Sequence, residues 1–591
     1  MSLYMWYLSK REIRFDEDNT SAPDYTVVVH NPPQNNDKAL DPDEWRDFFD
    51  QFSDKGVTLV TVALNNEVLL TKLVQRRKDI KALKRCFPSG IDIDIDNEGA
   101  VNVAVENAKR YRKGEEASQN CIAKFFSSIF LPVLRRLGIA LTEETLWKRI
   151  RTTTEEIKKL QQQEYQAAAV YVTFETEEGQ RTALAALKAS QTEIITNKPI
   201  GLDASCLFQD HVLHIEEAPP VTAVRWKDLH YTRSGVWLRV IISCIITFGL
   251  VAFSGIILNL ARTRVNTILY SILLSTFNSL IPVIVRLLVS FEKHWDEGSM
   301  QASLYFNITL FRWVNTAIVT RVITPFLVTL GENKIDLVNT VNALMISEMI
   351  IAPLLRYFDF MTIVNRHIFA PRAKTEEELF GYFKGGWYSL AERFTDFTKV
   401  LLLCTFYSAV YPLIYFLGAA ILFGQYWMDK FLLLRSWQKQ PKIGVKTAEF
   451  SRTYFNTAAI LLGAISSAYV YARSPFTNLC SCDINDKECG AVPNTQFTNV
   501  QLLNGETTDI SEDDLSNEVY YFCNQDQIGF PPIPAAQDTN IWMTEDQEKL
   551  SKIYGWTAFW LLILYCVFVL GWRTILTALS LVKGVYKVSI L

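Results

Sequence analysis

At 591 residues the chain is long enough for several domains, and its near balance of 59 basic against 63 acidic side chains excludes the strongly basic footprint of a general nucleic-acid binder. Apolar residues make up 49 % of it but are unevenly spread: mixed-charge sequence runs to about His230, and spanning-length apolar runs fill most of the rest. The reading is a polytopic α-helical membrane protein of about eight spans carrying a cytosolic α+β domain.

The start, Met1 to Leu8 followed by Lys10 and Arg11, is too short for a cleavable signal and has its charges on the wrong side. Residues 1–24 read as the inner end of a span whose earlier part is missing, or as an amphipathic terminus. Residues 25–217 read strand, helix, strand, insertion, strand, helix, strand. The strands are Tyr25–His30, Val57–Leu64, Ala169–Phe174 and His211–Ile215. Asp41-Pro42 opens the first helix as N-cap and first-turn proline, and Glu67–Leu83 and Glu177–Ala189 form two more. This order is the ferredoxin-like split unit that RNA-recognition domains also use. RNA binding would need aromatics on one strand face, but Tyr171 and Phe174 fall on opposite faces. Nucleic acid is therefore not an expected partner. The insertion, about 86–166, holds the apolar Phe125–Leu137 segment, which suits either a membrane face or a hairpin packed on its own domain. Its Thr145–Gln166 helix reads as an arm or dimer contact.

Spans are expected near 236–261, 265–291, 304–331, 337–358, 397–434, 450–472 and 556–582. The fifth run is too long for one crossing. The loops on both sides are rich in Lys and Arg, which places them inside and makes the run cross twice, turning near Tyr411-Pro412 or Gly418. The membrane domain thus covers 218–472, an external loop 473–555, and the last span with its cytosolic tail 556–591. The acidic external loop holds Cys480, Cys482, Cys489 and Cys523, disulfide candidates in an oxidising compartment. A zinc site is the competing reading, but no His lies there and the spacing fits no common zinc module. No metal or cofactor is expected.

Arg321 and Glu348 lie at matching depth, roughly 20 Å from the turn Gly331–Lys334, at about 1.5 Å rise per residue. Their pairing is an expectation. Ionisable groups in a hydrocarbon layer usually face the protein interior and mark an ion or substrate path. Asn278, Asn315 and Asn342 join them as pore-lining or gating candidates. Pro282, Pro325 and Pro353 interrupt the helical ladder and are hinge candidates. No Walker loop, dinucleotide fingerprint, HExxH or nucleophile elbow is present, so no enzyme is expected. The His residues, His211, His214, His230 and His294 among them, read as structural.

Three stretches resemble the hyperosmolality-gated, calcium-permeable cation channels of plants (OSCA) and their fungal and animal stress-gated relatives. They are Ala218-Pro219-Pro220 with Val224-Arg225-Trp226-Lys227-Asp228-Leu229; Phe406–Ile414 running through Gly418 to Phe431–Leu434; and Leu280-Ile281-Pro282, Glu292 and Phe311-Arg312-Trp313-Val314-Asn315. The resemblance implies an anoctamin-like bundle with a conduction path among the first five spans. It also implies further N-terminal spans, which this sequence does not show. The implied activity is a mechanically or osmotically gated cation channel of the plasma membrane, with membrane lipids and permeant cations including calcium as partners, and a homodimer or monomer. A lipid scramblase and a membrane-tethered scaffold are the alternatives.

Overall fold

A computed structural model describes residues 18–34, 37–87, 97–118, 142–199, 202–264, 282–319, 337–373, 375–386, 388–408, 411–439, 442–471 and 545–564, four short strands between 479 and 522, and a few isolated positions. The protein is mostly helical with a small antiparallel four-stranded sheet. Its strands are β1 (Thr26–Val29), β2 (Val57–Leu64), β3 (Ala167–Phe174) and β4 (Ile215–Glu217), in the order β2-β3-β1-β4. Val28 stands opposite Tyr171 on one side and Glu216 on the other, and Thr61 opposes Tyr171. The sequence pattern places the last strand at His211–Ile215. The sheet takes Ile215–Glu217 instead, because Phe208 and His211 bond to each other across Gln209 and Asp210, both at positive φ (51° and 61°).

Helix α1 (Pro42–Asp50) starts where Asp41 accepts from the Asp43 amide at 3.0 Å. It turns Trp45 and Phe49 onto one sheet face, against Val27, Val29, Val172 and Phe174. The Trp45 indole stays buried because its N–H donates to the Ala39 carbonyl at 2.9 Å. Between β2 and β3, helices α2 (Glu67–Cys86), α3 (Glu98–Ser118) and α4 (Glu143–Gln161) share a core of Leu83, Val101, Val105, Trp147 and Ile150. The α4 segment is therefore no free arm: its apolar face is spent on its own domain. The Phe125–Leu137 segment lies outside the described residues. After β3, α5 (Glu177–Ala186) packs beside α1, with Ala183 and Leu184 in the same core.

The opposite sheet face is closed by the chain leading onward. Val28, Ala63, Ala169 and Tyr171 pack on Ala218, Val224, Leu229 and Trp295. Burial pushes the Tyr171 phenol well above its usual range. Trp295 is the pin of this junction. It stacks on His30 (4.7 Å between rings), and its indole donates to the Tyr231 carbonyl at 2.7 Å. Beside it, Lys293 reaches Glu67 (3.1 Å) and Asp228 (3.2 Å).

Beyond the junction come α6 (Arg233–Arg264), α7 (282–292), α8 (Glu297–Trp313), α9 (Leu337–Phe358), α10 (Glu376–Phe383), α11 (Leu390–Tyr407), α12 (Ile414–Arg435), α13 (Asn456–Tyr471) and α14 (Glu545–Leu564). Two stretches, Arg233–Ile257 and Val341–Arg372, are long and apolar enough to cross a membrane. Helix α8 begins seven residues before the expected 304, where Asp296 caps it by accepting from the Ser299 amide at 2.7 Å. The long fifth run is two antiparallel helices, α11 and α12. Cys404 meets the Ile414 carbonyl near the turn (3.4 Å), and Arg393 meets Asp429 at the far end (3.7 Å). Gly418 lies within α12, not at the turn. A Cβ there would collide with the Cys404 sulfur, so the glycine permits the close approach.

Candidate functional site

The bundle buries an ionic core between α8, α9, α11 and α12. Its hub is Asp396 on α11, which accepts from Arg312 of α8 at 2.8 Å and from Arg356 of α9. Arg393, one turn earlier on α11, lies 3.4 Å from the same carboxylate. Asp429 of α12 completes the cluster, 3.7 Å from both Arg356 and Arg393. One turn further along α11, Lys399 donates to Glu348 of α9 at 2.6 Å. Further still along α9, the Tyr411 hydroxyl donates to Asn342 at 3.2 Å. Helix α9 thus carries three polar rungs, Asn342, Glu348 and Arg356, spread over about 20 Å at 1.5 Å per residue.

Asn315 belongs to a second polar contact. The end of α8 widens into a π-helical turn, Val314–Val319, a local geometry common at functional positions. There Asn315 is fully buried, and its Oδ1 accepts from Ser254 of α6 at 3.3 Å. Among the described residues its Nδ2 has no partner, and neither does the Trp313 indole nitrogen.

Of the residues singled out in the sequence, Glu348 and Asn342 lie on this ladder and Asn315 lies beside it. Asn278, Arg321 and Pro325 lie outside the described residues, so the Arg321–Glu348 pairing does too; the partner seen for Glu348 is Lys399. Pro282 lies within a helical stretch, with Leu280 before it also helical, and Pro353 sits inside α9. Cys480 is on a two-residue strand opposite Tyr521, whereas Cys482, Cys489 and Cys523 are outside the described residues. His214 and His30 both face Glu216 (3.4 and 3.5 Å), and His294 faces Glu292 at 2.6 Å, all at the sheet–bundle junction.

The sequence reading missed Asp396, Lys399, Asp429 and Gln425. A signal was present. Arg393, Asp396 and Lys399 recur at three-residue spacing, one stripe of a helix leading into an apolar run. Gln425 and Asp429, four apart, interrupt an otherwise apolar helix. No group of three or more His, Cys, Asp or Glu side chains is arranged to hold a metal among the described residues.

Four cations and three anions thus meet in a low-dielectric interior, where each pair is strengthened and each unpaired member is costly. Such a core can hold helices in one arrangement and release them in another. Comparison with known protein-family models and with curated protein sequences returns no match for this chain.

Proposed function

We propose that this protein is a multi-pass membrane protein of about eight spans that conducts cations, calcium among them, when the membrane is stretched or osmotically stressed. The carrying observation is the largely buried ionic core: Arg312, Arg356, Arg393, Asp396, Lys399, Glu348 and Asp429 pair across four helices. Charges inside apolar helices are retained where they serve an ion or substrate pathway or its gate. The outer surface supports a lipid setting. Helix α12 buries Gln425 and Asp429 while exposing Phe416, Phe423, Trp427 and Leu434. That inversion of the soluble pattern suits hydrocarbon rather than water.

The resemblance to the stress-gated channels supports the same reading, as does its architecture of a sheet domain feeding a helical bundle. The charge pattern of the loops favours a cytosolic sheet domain, and the resemblance favours the plasma membrane. The ladder works as a latch rather than a lining, since its cations outnumber its anions. A lipid scramblase is the second reading, favoured by one detail. The Glu348 side chain is 27 % exposed against 11 % for Lys399, so this polar rung reaches the bundle surface as a headgroup groove would require.

The test is reconstitution of the full chain in liposomes, with stretch-evoked current and lipid flipping recorded side by side. Current without flipping is the expected outcome. Flipping without current would overturn the channel reading in favour of the scramblase.

A further inference from the structure

Gln425 is the most anomalous polar group of the bundle. It is fully buried on α12, and among the described residues neither its Nε2 nor its Oε1 has a hydrogen-bond partner. Native proteins rarely leave a buried amide unpaired, because it forfeits its bonds to water and gains nothing in return. One turn below, Asp429 Oδ1 and Arg393 Nη1 face each other at 3.7 Å without a hydrogen bond. One turn above, Ile421 is buried in an apolar cluster with Val400 and Leu403. Gln425 therefore stands at the boundary between the ionic core and an apolar plug.

The helix facing it is weakened at the same level. Helices α9 and α12 run parallel: Asn342 meets Tyr411 just before α12, and Tyr357 meets Phe431 near its end, with rings 5.9 Å apart. Proportional spacing between those contacts brings Pro353 about level with Gln425. Pro353 has no N–H, so the Met349 carbonyl one turn back lacks its helical donor. An unpaired amide and an interrupted ladder thus lie at about the same level of two adjacent helices, with the Arg356–Asp429 contact one turn away.

We infer that Gln425 is a gating residue: buried and unpaired by any described protein group in this arrangement, it becomes accessible to bulk water when α9 bends at Pro353 and parts from α12. The unpaired amide destabilises the closed arrangement, and the neighbouring ion pairs oppose it. The inference rests on the channel reading, and two readouts separate their fates. The first is Gln425→Leu, which removes the polar group at similar volume. At fixed membrane tension its open probability should fall on the order of tenfold, because a buried unpaired amide costs about that factor or more. Thermal unfolding of the solubilised variant should shift upward, which also shows that it folds.

The second is Gln425→Cys in sealed proteoliposomes, treated with a membrane-impermeant thiol reagent at rest and during osmotic swelling. Modification at position 425, read by peptide mass against the unsubstituted chain, should accelerate at least tenfold under swelling. Swelling-dependent modification without current upholds the parting of α9 from α12 at Gln425 but defeats the channel reading, and with it the gating role. Current with an unchanged modification rate and an unchanged Gln425→Leu threshold defeats the inference and leaves the channel reading standing. Neither current nor modification defeats both.

Discussion

Replacing Asp396 with Asn removes the one full negative charge that, among the described residues, Arg312 and Arg356 both bond. The side chain keeps its size and one carbonyl oxygen, so packing hardly changes. Two charge-assisted bonds are lost or weakened, at about 1.5–3 kcal/mol each. Arg393, 3.4 Å away, also loses its nearest carboxylate and keeps only the more distant Asp429. Because Asp396 is 90 % shielded from solvent, water cannot compensate for the stranded guanidiniums. The expected loss is about 3–5 kcal/mol, the usual cost of breaking a buried ion pair from one side. That is a large part of the 5–15 kcal/mol or so that holds a typical domain together. The measurement is denaturant unfolding of the purified, detergent-solubilised protein, followed by tryptophan fluorescence. Arg312→Gln and the double variant close a thermodynamic cycle, and the coupling energy should exceed about 1 kcal/mol. A loss below about 1 kcal/mol with no coupling would refute the view that Asp396 organises the core.

Glu348→Gln strands Lys399 and should alter conductance or the tension threshold more than Asn342→Ala does, while the exchange Glu348→Lys with Lys399→Glu should recover much of the effect. Single-channel recording decides, and equal, unaltered currents for both single variants count against a role for the ladder in gating. Gly385→Ala drives a methyl into the Ser436 carbonyl, a backbone atom that cannot step aside. It should cost about 1–3 kcal/mol in the same unfolding assay, and a neutral result would contradict the close approach of these two loops. Acidification should loosen the sheet–bundle junction. Burial holds the His30 imidazole below its ordinary 6.5, so the unfolded chain binds the extra proton first and stability falls as pH drops from about 6.5 towards the folded value. Burial alone would raise the Glu216 carboxyl, but His214, His30 and Arg233 hold it well below its ordinary 4.5. Its contribution is therefore complete above that value and is lost only in stronger acid. Melting temperature against pH should show the upper step, and His30→Gln should abolish it. A flat profile between pH 7 and 5 would exclude His30 as its source.

Element type was legible where periodicity and local chemistry agree. The β-branched run Val57–Leu64 and the Asp41-Pro42 helix start need only neighbouring residues, and both stand as read. The end of the sheet was not legible, because the turn at Gln209-Asp210 uses positive φ without the glycine that usually announces it. The α4 stripe announced an amphipathic helix but not its partner, which proved to be α2 and α3.

The ionic core divides in the same way. That charges lie within long apolar segments follows from composition alone, since hydrocarbon tolerates them only when they turn inward. Which charges meet is a matter of three-dimensional arrangement. Arg312, Glu348, Asp396 and Asp429 are far apart in the chain and come together only because α11 and α12 fold back on each other and pack beside α8 and α9. Sequence spacing sets the phase of a charge on its own helix. The crossing and depth of neighbouring helices set its partner, and these depend on packing over the whole bundle.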